Sequence, residues 1–202
     1  MRTQYRAGAA LVCLSIATAS MAQETIPEAL ARGATSRGST PGSGRPETLT
    51  TLLRRADVIV RGVVGVPRSY LSDDRQSLFS DYPIQNPVYA YRREEPVFIV
   101  PGVPPPLLVT IRGGRIEIGG VFFTQRARSL PRLMPGADVV LLLERTDGKY
   151  LPAGGGHLGA FAVVNERLVR LTGRRGFAPE MEGRIAVEAI AEMTRIASAS
   201  DR

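Results

Sequence analysis

The stretch ADVIVRGVVGV, residues 56–66, decides how the rest of the chain is read. Its valines and Ile59 are β-branched, a composition that suits a pleated strand better than a helix. Gly62 and Gly65 fall where a strongly coiled first strand bends. Immediately upstream, Leu49, Leu52, Leu53 and Ala56 recur at helical spacing, so Pro46-Glu47-Thr48 opens a short helix. A helix of that size is expected to plug one end of a rolled sheet.

Downstream, β-type runs recur at 78–82, 88–92 and 96–100, and Pro83 and Pro87 predict a break across 82–88. The PGVPPP segment, 101–106, reads as an extended loop. LLVTIR and RIEI flank Gly113-Gly114, which predicts a tight hairpin with Val109, Ile111, Ile116 and Ile118 on one buried side. A loop over 124–137 then leads into DVVLLLE, 138–144, the most hydrophobic strand, and Asp147-Gly148 turns it back toward Tyr150 and Leu151. Residues 160–164 and 167–171 flank Asn165-Glu166 as another hairpin. After Gly176 the period becomes helical, with Ile185, Ala189, Ile190, Met193 and Ile196 on one stripe opposite Glu188, Glu192 and Arg195. No repeat of fixed period is present, which argues against a solenoid or propeller.

The N-terminus has the order of a secretory leader: Arg2 and Arg6, the uncharged apolar run 7–19, then Ser20-Met21-Ala22. That apolar run is shorter than the roughly 20 residues a membrane-spanning helix needs, so cleavage after Ala22 is expected. Val12 before Cys13 argues against a lipoprotein site. Residues 1–22 are thus read as a signal peptide, 23–46 as a flexible linker rich in Gly, Ser, Thr and Pro, and 47–198 as a single domain. The destination expected is the periplasm or the medium. Cys13 is the only cysteine and leaves with the leader, which removes disulfides, thiolate catalysis and cysteine metal ligands from consideration.

The formal charge is +7, and loss of Arg2 and Arg6 lowers it to +5. Of 26 basic residues only Lys149 is lysine. A positive chain attracts polyanions, but the arginines are scattered and interleaved with acids, the pattern of a solvated surface in a chain that uses Arg wholesale.

Taken together, ADVIVRG (56–62), VTIRGG (109–114), PGADVVLLL (135–143) and the corner GGGHLGAF (154–161) resemble a group of uncharacterised bacterial exported domains. Those are similar in plan to the oligonucleotide/oligosaccharide-binding (OB) barrel of the netrin and tissue-inhibitor-of-metalloproteinases type. The resemblance covers roughly 47–197. It implies a small, closed or partly open five-stranded barrel with a short N-terminal helix and an amphipathic C-terminal helix, where the residues alone read as mainly β with terminal helices. The animal inhibitors depend on cysteines that this chain lacks, so protease inhibition does not carry over.

Catalytic readings find little support. His157, the only histidine, has no G-x-S-x-G elbow to serve and is insufficient for a zinc site. GGGHLG lacks the following Lys-Ser or Lys-Thr and the helix of a phosphate loop, and Asp73-Asp74 lacks the alternating acids of a calcium loop. Asp73, Asp74, Asp81, Glu94, Glu95 and Glu117 offer carboxylates, and nothing selects a hydrolytic pair among them. No catalytic, metal or cofactor residue is therefore expected. The candidate ligand face is Tyr82, Tyr89 and Tyr91 beside Arg92 and Arg93, since aromatic and guanidinium groups on barrel strands stack on bases or sugars. The expectation is an exported, noncatalytic interaction or structural domain with a protein or an anionic polymer of the cell envelope as partner. A barrel binding an anionic glycan or nucleic acid is the alternative, and a hydrolase the third reading.

Overall fold

A computed structural model of the chain describes residues 24–39, 48–94, 106–127, 130–154, 158–171 and 178–199. The leader, His157 with Gly155 and Gly156 of its corner, and the run at 96–100 lie outside the described residues.

Helix α1 (Ile26–Ala31) and strand β1 (Ser36–Ser39) come first, then helix α2 (Leu49–Arg55) and strands β2 (Val58–Val64), β3 (Arg68–Leu71) and β4 (Leu78–Arg92). Strands β5 (Leu107–Arg112), β6 (Gly114–Ile118), β7 (Val121–Ala127), β8 (Asp138–Thr146) and β9 (Lys149–Pro152) follow. The hairpin β10 (Ala160–Val164) and β11 (Arg167–Arg170), a short 3-10 turn and helix α3 (Ala186–Ser198) end the described chain.

Five strands close a mixed barrel, as the resemblance implies. Strand β2 pairs antiparallel with β4 and β8, β4 with β5, β5 runs parallel to β9 at Val109–Tyr150, and β8–β9 shuts the ring. Val58, Val60, Val64, Ile84, Leu107, Val109, Ile111, Val139, Leu141 and Leu143 fill its interior. The alternate residues Ile59, Val140 and Leu142 point outward and meet Leu49, Leu52, Leu53, Ala189 and Met193 of the two helices. Burial on both faces is why 139–143 is uninterruptedly apolar. Helix α2 thus covers the outer wall rather than plugging an end: its apolar stripe finds a partner in α3, whose Ala186, Ala189 and Ala197 let the helices approach closely.

Gly62 and Gly65 are set by the crossing of β4. A Cβ at Gly62 would sit 2.6 Å from Ile84 Cγ2, and one at Gly65 2.8 Å from Pro83 Cγ. Strand β4 also runs unbroken through Pro83 and Pro87, contrary to expectation. The ladder shifts register between Arg61 and Val63, so Pro87 lies in a gap where no amide is required.

One further expectation is corrected. Gly113-Gly114 does not close a hairpin: β5 stays in the barrel while β6 leaves it to pair with β7, and the tight turn falls at Gly119-Gly120 with φ of 60° and 81°. Strand β7 therefore occupies part of the expected 124–137 loop. Within the segment expected as a linker, residues 24–39 carry helix α1 and strand β1. Thr25 and Glu28 form a capping box at 3.4 and 2.9 Å, Ile26 is fully buried against Leu78 and Phe123, and β1 adds in parallel to β7.

Candidate ligand-binding face

Of the five residues expected to form a ligand face, the structure brings Arg92 onto the Tyr89 ring and spreads the others over different surroundings. Tyr91 lies opposite Ile59 and Tyr89 opposite Val60, so Ala90 is an extra residue that rotates the two tyrosines to different sides of β4. Tyr91 is 8% exposed and belongs to the core beneath the helices, whereas Tyr89 packs on the barrel-interior cluster. Tyr82, opposite Val109, also packs on that cluster, and burial raises its phenol above the ordinary range. The Arg92 guanidinium carbon stands 3.1 Å from the centre of the Tyr89 ring. Arg93 donates to the carbonyl of Arg54 at 2.7 Å and pairs with Asp57 at 3.5 Å.

A different set assembles on the outer wall formed by β3, β4, β5 and β9. Antiparallel register places Tyr70 across from Phe79 and Phe79 across from Arg112, and in the next row Arg68 across from Asp81 and Asp81 across from Thr110. The Tyr70 and Phe79 rings stack with centroids 6.1 Å apart and planes inclined by 26°, an offset arrangement within the favourable range. Both rings are half-buried.

Lys149 enters this wall from β9. Its Nζ donates to Tyr70 Oη at 3.1 Å, Tyr70 Oη donates to Asp81 Oδ1 at 3.2 Å, and Thr110 Oγ1 donates to the same oxygen at 2.6 Å. The ammonium also lies 5.2 Å and 5.6 Å from the Tyr70 and Phe79 ring centres, near enough for attraction to both. The hydrogen bond to Tyr70, with smaller contributions from Asp81 and Asp73, holds its pKa above the ordinary lysine value. Near neutral pH the group is therefore a charged hydrogen-bond donor. Arg112 Nη2 donates to Ser77 Oγ at 2.9 Å at the edge of the wall.

Two concavities lie elsewhere. One, of about 360 Å³ at a barrel mouth, is lined by Asp57, Glu94, Arg145, Asp147 and Tyr150. Two of its three acids are engaged: Glu94 pairs with Arg145 at 3.2 Å, and Asp57 accepts the Arg145 backbone N–H at 2.7 Å. The other is a groove between α2 and α3 lined by Thr50, Arg54, Arg195, Ile196 and Ala199. Among the described residues no group of three or more His, Cys, Asp or Glu side chains is placed to hold a metal ion. No helix among them is long and apolar enough to cross a membrane.

Compared with family models, curated proteins and solved structures, the chain matches none. Sequence reasoning passed over Tyr70 because β3 carries no alternation that marks it as a strand, and over Phe79 because its pairing with Tyr70 comes only from the register of β3 on β4. Lys149 had a signal, as the only lysine in an arginine-rich chain.

Proposed function

We propose that this chain is an exported, noncatalytic binding domain that presents the outer wall of β3, β4, β5 and β9 to a partner in the cell envelope. The observation that carries the reading is the chain of hydrogen bonds from Lys149 through Tyr70 to Asp81, beside the stacked Tyr70–Phe79 pair. Side chains fill the barrel, so recognition falls to its outside, where OB barrels carry their binding strands. The leader-like N-terminus supports export, and the closed barrel with flanking helices supports kinship in plan with the netrin type. An anionic polymer bound through Arg92 and Arg93 is less favoured, since those side chains already stack on Tyr89 and bind Arg54 and Asp57. Hydrolysis is less favoured still, because Asp57 and Glu94 in the cleft are turned to Arg145.

The test is retention of the purified protein by the washed cell-envelope fraction of its source. Tyr70→Ala and Lys149→Ala are expected to lower retention, and Glu166→Gln, on the β2–β8 side, to leave it unchanged. Equal retention of all variants would rule the wall out as the binding surface.

A further inference from the structure

Resting on that reading, we infer that the outer wall takes an uncharged saccharide of the all-equatorial pyranose type, with Tyr70 and Phe79 as the platform and Lys149 and Asp81 as its hydroxyl-binding groups. The choice among ligand classes comes from charge. Lys149 faces Asp81 and Asp73, Arg112 faces Asp74, and Arg68 lies across from Asp81. A polynucleotide or acidic glycan requires cations in excess along its track, and here each cation of the wall has an acid beside it. An uncharged sugar needs the opposite: donors and acceptors side by side, next to an apolar surface. A pyranose whose hydroxyls are all equatorial presents its C–H groups to aromatic rings on both faces and its hydroxyls around the rim.

The groups available fit that geometry. Lysine carries three N–H donors, and Tyr70 is the acceptor seen for one of them. Asp81 Oδ1 already collects Tyr70 and Thr110, which fixes the carboxylate beside the rings as a preorganised acceptor. The identity of the cation also fits. In a chain with 26 basic residues of which one is lysine, the exception stands where a compact ammonium reaches the phenol at 3.1 Å and lies 5.2 and 5.6 Å from the two ring centres. A planar guanidinium at the same place would lie flat on an aromatic face and occupy the surface a sugar needs.

The experiment is calorimetric titration of the purified protein with cellohexaose and with chitohexaose, with heparin and a dodecameric oligothymidine as charged comparators. At least one uncharged hexasaccharide is expected to bind saturably, with an affinity unchanged between about 50 mM and about 500 mM salt. Tyr70→Ala and Phe79→Ala are each expected to weaken it about tenfold or more, the loss typical of one stacking ring. Lys149→Arg should weaken it although the charge is kept, and Glu166→Gln should not. Far-UV circular dichroism and the thermal midpoint identify any variant that fails to fold, and Lys149→Arg, which alters only an exposed side chain, keeps the test decisive in that event. Absence of binding by both hexasaccharides, or salt-sensitive binding of heparin or the oligothymidine alone, overturns the saccharide inference. If envelope retention still depends on Tyr70 in that case, the wall binds another class of partner and the broader reading stands. If retention is indifferent to Tyr70 and Lys149, both fall.

Discussion

Gln125 Oε1 accepts a hydrogen bond from the backbone N–H of Leu78 at 2.5 Å, a fully buried contact between residues 47 positions apart. It joins the three-stranded sheet of β1, β7 and β6 to the first residue of β4, the longest barrel strand. Gln125 is one of only three buried polar residues found among the described ones. Removing its acceptor strands an amide away from water, which costs roughly 1–3 kcal/mol. Gln125→Leu is therefore expected to lower the unfolding free energy in urea by that amount. Hydrogen exchange at the Leu78 amide and across 114–127 should accelerate more than exchange in β2 and β8. Uniform acceleration would mean that the two sheets open as one unit.

Gly114 marks the point where the chain leaves the barrel. Its φ is 135°, and a Cβ there would sit 2.1 Å from Ser80 Oγ and 2.7 Å from Ser69 Oγ. Those hydroxyls hydrogen-bond each other at 2.8 Å, and Ser80 also donates to the Gly113 carbonyl at 2.7 Å. Gly114→Ala must strain the backbone and displace a buried hydroxyl pair, a combination expected to cost about 2–4 kcal/mol. Gly120→Ala, in open space at a positive φ, carries the backbone cost alone, about 1 kcal/mol. Equal thermal midpoints for the two variants would contradict the crowding at Gly114.

The same junction shows where sequence reading stops. Strand β8 was legible because both of its faces are buried and the run 139–143 records that directly. Helix α3 and the Asn165-Glu166 turn were legible because helical and hairpin periods are local, though Ile185 stands exposed at the N-cap and Ala186 and Ala197 join Ala189 and Met193 on the buried face. Two glycine pairs, 113–114 and 119–120, each sit between β-prone segments, and only Ser69 and Ser80, from another part of the chain, determine which one is the turn. The platform was hidden for a related reason: the Tyr70–Phe79 pair exists through the register of β3 on β4, and the RSYL segment has no alternation of its own. Tyr89 and Tyr91 fall on different sides of β4 because one bulge residue, Ala90, reverses the period-2 rule between them.

The N-terminal arm should respond to acid before the barrel does. Hydrogen bonds from the Thr25 backbone and hydroxyl hold the Glu28 carboxyl below its ordinary value near 4.5. A depressed carboxyl stabilises the fold fully above its unfolded value and loses that contribution as pH falls through the lower, folded one. The capping box should therefore be intact above about pH 4.5 and release below it. The expected readout is loss of exchange protection over 26–31 at low pH while β2 and β8 stay protected, and Glu28→Gln should make the arm indifferent to this range.

Tyr91 and Ile26 are expected to act through the core alone. Tyr91 is nearly buried against the helices and Ile26 fully buried against Phe123 and Leu78. Truncation of a core aromatic costs about 3–5 kcal/mol and of a core isoleucine about 2–5 kcal/mol. Tyr91→Ala should fall in the first range, because the barrel wall and the α2–α3 pair close on it from both sides. Ile26→Ala should fall near the bottom of the second, because the small core it enters is partly open and its neighbours Leu30 and Ile116 can settle inward. Denaturant unfolding measures both. A Tyr91→Ala variant of unchanged stability that lost ligand would return Tyr91 to the binding surface and remove the bulge at Ala90 as the reason for excluding it.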